Sequence, residues 1–98
     1  MLTLPAGHLR LDDAARYVGC SQERLARLAW DGEIPFRAMR TTVDAAVSCR
    51  DLVFAEADLV GRQLDGVIQA RYEQGDRARA DRVVRRMVRF GLRVEGCE

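Results

Sequence analysis

The sequence predicts a mainly α protein with a small β-hairpin, an α+β fold, and three observations carry that expectation. Two short runs near the start, residues 11–18 and 22–30, place their apolar side chains at helical spacing on either side of a glycine. A middle stretch is rich in β-branched and aromatic residues: Thr41, Thr42 and Val43, then Val47, Cys49, Leu52, Val53 and Phe54. From Ala55 onward the spacing is helical again, interrupted at Gly75.

In the first run, Leu11, Ala14, Ala15 and Val18 fall at i, i+3, i+4 and i+7 and define one inward face. Asp12 and Asp13 stand in its first turn, where negative charge meets the positive end of the helix dipole. Gly19 suits the left-handed conformation that ends a helix. Ser21 is placed to cap the second helix, Gln22 to Trp30, whose inward face is Leu25, Leu28 and Ala29. Two short helices joined by a turn of roughly three or four residues centred on glycine form the helix-turn-helix pattern.

Pro35 biases Ile34 toward extended backbone, so a hairpin is expected next, with Asp44-Ala45-Ala46 as the turn between its arms. A long third helix should follow from Ala55, with Val60, Leu64, Val67 and Ile68 as a stripe running toward Tyr72. Asp76 is placed to cap a fourth helix over residues 77–90. Its apolar side should hold Ala80, Val83, Val84, Met87, Val88 and Phe90, and its other side Arg79, Arg82, Arg86, Arg89 and Arg93.

A chain of 98 residues buries a modest core and leaves little room for a substrate cleft. The sequence has no GxGxxG, P-loop or GxSxG motif, and its single histidine lies outside the helical segments, so it is not expected to be an enzyme. His8 is a lone histidine outside the periodic segments, which is poor evidence for a metal or catalytic site. Cys20, Cys49 and Cys97 form no CxxC pair, so free thiols are expected, with no metal and no cofactor. No apolar run approaches the roughly 20 residues of a membrane helix, and the first residues lack the pattern of a secretory signal. A cytoplasmic protein with no membrane partner is expected.

The net charge of +1 hides an asymmetry. Residues 1–60 carry seven Arg against nine acids, net −2, and residues 61–98 carry nine Arg against six, net +3. Polyanion binding requires positive charge to replace counterions, and residues 61–98 rather than 1–60 are the basic part.

The segment Leu11-Asp12-Asp13-Ala14-Ala15-Arg16-Tyr17-Val18-Gly19-Cys20-Ser21, followed by Leu25, Leu28 and Asp31-Gly32-Glu33-Ile34-Pro35, resembles the excisionase-like branch of the MerR-like winged helix-turn-helix domains. Phe54 with Asp58-Leu59 is similar to the closing strand of that family, where an aromatic precedes Asp-Leu at the start of the next helix. The resemblance covers about residues 9–60. It implies a winged helix-turn-helix domain over residues 1–60, while the helical spacing of residues 61–98 makes these a C-terminal helical hairpin that dimerises or packs as an extension.

By the same resemblance the second helix enters the major groove and the hairpin grips the backbone or minor groove. Ser21, Gln22, Glu23, Arg24, Ala26 and Arg27 would then lie at the DNA. Arg24 and Arg27 suit guanine, Gln22 suits adenine, and Arg37 and Arg40 suit phosphate. The hairpin departs from the family, because residues 40–54 are longer than its basic wing and include Asp44 and Asp51. For the fourth helix, Arg79, Arg82, Arg86 and Arg89 are either a second phosphate-binding face or a solvated face bridged to Asp76, Asp81 or a neighbouring helix. Trp30, near Pro35 and Phe36, is expected to close a small core.

The expected function is therefore that of a small sequence-specific protein of bacterial or phage type that binds double-stranded DNA. It would act as a transcriptional regulator or excisionase-like accessory factor, with a homodimer formed through the C-terminal helices. The alternative is a winged protein-interaction module, an inhibitor or assembly subunit, that does not bind DNA by itself. The acidic balance of residues 1–60 motivates it.

Overall fold

The computed structural model describes residues 4–40, 47–62 and 75–95. It is an α+β fold, mainly helical with a small antiparallel sheet. Strand β1 (His8–Arg10) leads into helix α1 (Leu11–Val18), and a turn at residues 19–21 leads into α2 (Gln22–Trp30). Strand β2 (Arg37–Ala38), a 3₁₀ turn (Cys49–Asp51) and strand β3 (Leu52–Ala55) follow. Helix α3 (Glu56–Leu59) continues as a 3₁₀ turn (Val60–Arg62), and helix α4 (Asp76–Arg89) completes the set.

The first two helices form where the sequence places them. Leu11, Ala14, Ala15 and Val18 are all buried. Gly19 ends α1 in the left-handed region at φ 86°, its N–H donating to Ala15 O. Ser21 Oγ accepts from Arg24 N at 3.2 Å and opens α2. These local bonds satisfy backbone groups that a helix end would otherwise leave unpaired.

The sheet has the order β1-β3-β2. Leu9 pairs with Phe54 and Arg10 with Val53 on one side of β3, and Arg37 pairs with Val53 and Ala38 with Leu52 on the other. Leu52, Val53 and Phe54 are fully buried in this central strand. Strand β1 was not expected, since three residues are too few to reveal alternation.

The hairpin differs from the expectation in its arms. Its first arm is Arg37–Ala38, and residues 41–46, where an arm and turn were expected, lie outside the described residues. Cys49, expected in a strand, belongs to a 3₁₀ turn because side chains there supply better local bonds. Ser48 Oγ accepts from Arg50 N at 3.3 Å, and the Asp51 carboxylate accepts from Ser48 N at 2.8 Å. Asp81 Oδ1 accepts from Cys49 N at 2.7 Å. Short polar side chains that bond nearby N–H groups compete with a sheet ladder in this way.

Helix α3 begins after Phe54 as the spacing predicts, but Val60, the first residue of the expected apolar stripe, lies in the 3₁₀ turn and is 58% exposed, and Leu64, Val67, Ile68 and Tyr72 lie outside the described residues. Helix α4 is present with Ala80, Val83, Val84 and Met87 buried. They join the cluster formed by Leu11, Leu25, Ala29, Ile34 and Phe54, so α4 shares the core of α1, α2 and the sheet. Each large apolar side chain so buried contributes on the order of 1.5–3 kcal/mol. Phe90 departs from the expected apolar side and is 74% exposed just beyond the end of α4.

After α4 the chain returns to the sheet edge. Glu95 N donates to Ala38 O at 2.7 Å, and Arg40 N donates to Glu95 O at 3.2 Å. No described helix is long and apolar enough to cross a membrane.

Candidate nucleic-acid interface

Helix α2 divides into two sides. Gln22, Leu25, Ala26 and Ala29 are buried, while Arg24, Arg27 and Asp31 face outward. Arg24 and Arg27 therefore stand where a groove-entering helix would need them. Gln22 and Ala26 do not, which corrects the expectation that both face DNA. Gln22 is only 7% exposed, and its side-chain carbonyl lies 3.8 Å from the Cys49 thiol that donates to it. With α4 packed along α2, the apolar spacing of α2 serves two neighbours rather than one.

The start of α2 is closed by α4. The buried carboxylate of Asp76 accepts from Gln22 N at 2.9 Å and from Glu23 N at 3.2 Å. Asp76 was expected to cap its own helix. Instead Gly75 takes the N-cap position of α4 without a side-chain bond, and the Asp76 carboxylate serves the neighbouring helix. A carboxylate at that place is favoured by the exposed N–H groups and dipole of α2.

Glu23 sits between the two helices. Its Oε1 accepts from Arg27 Nη2 at 3.0 Å and Nε at 3.3 Å, and its Oε2 accepts from Arg79 Nε at 3.0 Å. The hydrogen bond from Arg27 is the largest cause holding the Glu23 carboxyl below the usual range, and Arg79 adds to it. Beside this contact runs a groove lined by Glu23, Arg27, Arg79, Arg82, Val83 and Arg86. Four guanidinium groups against one carboxylate leave three positive charges in excess. Arg82 and Arg86 are exposed, and neither has an ion pair among the described residues.

The structure thus joins two sets of residues that the sequence kept apart: Arg27 of α2, and Arg79, Arg82 and Arg86 of α4. Arg89 is exposed in the last turn of α4. Ser21 is engaged as the cap of α2. Arg37 lies apart, held at 2.7 Å by Glu95, and Arg40 is half-buried with its backbone tied to Glu95.

Trp30 does not close the core against Phe36. Phe36 packs on Phe54 instead, with ring centroids 6.4 Å apart, and Trp30 is 37% exposed against Phe90. Cys20 and Cys49 are free and buried, and burial pushes both thiols up, Cys49 to about 12. The bridging role of Asp76 was missed because local spacing makes it a cap for the following helix and says nothing of a helix 54 residues away.

Compared with known proteins, the chain matches no family model, no curated protein and no solved structure.

Proposed function

We propose that this chain is a small cytoplasmic DNA-binding protein of winged helix-turn-helix type, a transcriptional regulator or excisionase-like accessory factor rather than an enzyme. Arg24 and Arg27 on the outward side of α2 enter the major groove of double-stranded DNA, and Arg82, Arg86 and Arg89 of α4 meet the flanking phosphates. The observation that supports this most is the groove in which Arg27 is joined by Arg79, Arg82 and Arg86. It gives the major-groove helix a positive flank that residues 1–60 alone lack. Arg37 and Arg40 line no part of that groove and contribute less: Glu95 pairs with the Arg37 guanidinium, and Arg40 is half-buried with one guanidinium nitrogen enclosed. A homodimer through the C-terminal helices would use surface other than Val83, Val84 and Met87, which are buried within the chain.

Binding to random duplex DNA, followed by fluorescence anisotropy at low and near-physiological salt, tests this. Salt-sensitive binding that is lost on Arg24→Ala/Arg27→Ala substitution supports it. No binding at low salt would reject it.

A specific observation favours the second reading, a protein-interaction module. Helix N-termini commonly anchor a phosphate through free N–H groups. Here Asp76 and Ser21 already take the N–H groups of Gln22, Glu23 and Arg24. DNA would have to be held by side chains alone, and a protein partner has no such requirement.

A further inference from the structure

At the end of α2 opposite Asp76, Trp30 and Phe90 stack with ring centroids 6.1 Å apart and planes 24° from parallel. Both rings reach solvent, Phe90 to 74%. Each follows an arginine by one helical turn: Arg27 precedes Trp30 on α2, and Arg86 precedes Phe90. Phe90 N still donates to Arg86 O at 3.0 Å, so helical geometry holds up to that ring. Residues three or four apart share a helix face and lie about 4.5–6 Å apart along the axis. The two helices therefore each bring a guanidinium and a ring to the same end of the basic groove.

We propose that this end of the groove binds single-stranded nucleic acid, with an unpaired base stacked on the open side of Phe90 and the adjoining phosphates against Arg86, Arg82 and Arg27. A base is flat and apolar on its faces, so it extends the Trp30–Phe90 stack by one layer. Its backbone carries the negative charge that complements the groove, whose one carboxylate, Glu23, is already taken by Arg27 and Arg79. Aromatic stacking beside a positive track is how strands are held without sequence preference. Within a duplex the bases are stacked on one another and offer no such face, so the Phe90 contact is separate from the proposed duplex mode and does not rest on it, although both modes use Arg27, Arg82 and Arg86.

Trp30 is the only tryptophan of the chain and stacks on Phe90, so its fluorescence reports on changes at that ring. The full chain is titrated at low salt with an oligothymidylate of roughly ten nucleotides, an abasic strand of the same length, thymidine monophosphate and an oligoglutamate peptide. The oligothymidylate should quench Trp30. Phe90→Ala should weaken its affinity by about tenfold, within the range for one base–aromatic stack, and Phe90→Tyr should retain it. The abasic strand should bind about tenfold more weakly. Unchanged affinity in Phe90→Ala overturns the proposal, as does an abasic strand, mononucleotide or oligoglutamate that binds as tightly as the oligothymidylate. Absence of quenching with no measurable binding overturns it too. Duplex binding is read separately on a labelled duplex, so loss of the major-groove mode and loss of this one are told apart.

Discussion

The carboxylate of Asp76, the first residue of α4, accepts the backbone N–H of Gln22, the first residue of α2, at 2.9 Å and is itself only 2% exposed. One buried side chain thus fixes how the last described helix meets the second. Asp81, a little over one turn further along α4, does the same for the 3₁₀ turn by accepting from Cys49 N at 2.7 Å. Together the two acids hold α4 across the start of α2 and the turn that precedes β3.

Replacing Asp76 by Ala should destabilise the protein by about 2 kcal/mol, because the N–H groups of Gln22 and Glu23 lose their acceptor in a buried place. Asp76→Asn keeps one acceptor and should cost less. Urea denaturation monitored by circular dichroism measures both. Midpoints indistinguishable from wild type would mean that the cap contributes nothing.

The Glu23 carboxyl is held below its usual pKa, chiefly by the hydrogen bond from Arg27. A group whose folded pKa is lowered adds stability that is present above its unfolded value and is lost as pH falls through the folded one. Wild type should therefore exceed Glu23→Gln in stability at neutral pH, and the difference should shrink through the acidic range below the ordinary carboxylate pKa. Thermal unfolding of both proteins across that range checks the sign. A difference that grows on acidification contradicts the Arg27–Glu23–Arg79 arrangement.

Much of the helical framework was legible in the sequence, since Leu11, Ala14, Ala15 and Val18, and later Ala80, Val83, Val84 and Met87, repeat at helical spacing and are all buried. The Gly19 and Ser21 signals are equally local and fall where expected. The rest depends on contacts between distant residues. Ala26 and Gln22 look surface-facing until α4 is laid against them. Phe90 looks buried by its spacing, yet it lies just past the end of its helix, beyond the core. The candidate site was legible as two separate arginine sets, and only packing α4 against α2 makes them one groove.

Cys20 and Cys49 should resist alkylation in the folded protein at neutral pH, because thiolates are the reactive species and burial pushes both thiols up. Mass spectrometry after a brief iodoacetamide pulse should find them modified only once denaturant is added. Rapid modification of Cys49 in native buffer would contradict its packing against Gln22.

If α4 supplies phosphate contacts, Arg82→Ala and Arg86→Ala should each weaken duplex binding regardless of sequence and lower the slope of log affinity against log salt by about 1. Both side chains are exposed, so stability should change little. A salt slope unchanged by both substitutions would remove α4 from the interface.

The central claim, that α2 presents Arg24 and Arg27 to DNA beside the arginines of α4, is tested most directly by anisotropy titration of a labelled random duplex with wild type and with Arg24→Ala/Arg27→Ala at two salt concentrations. Salt-dependent binding by wild type that the double substitution abolishes, while its circular dichroism stays native, is the predicted result. Equal binding by both proteins, or none by wild type at low salt, would contradict it.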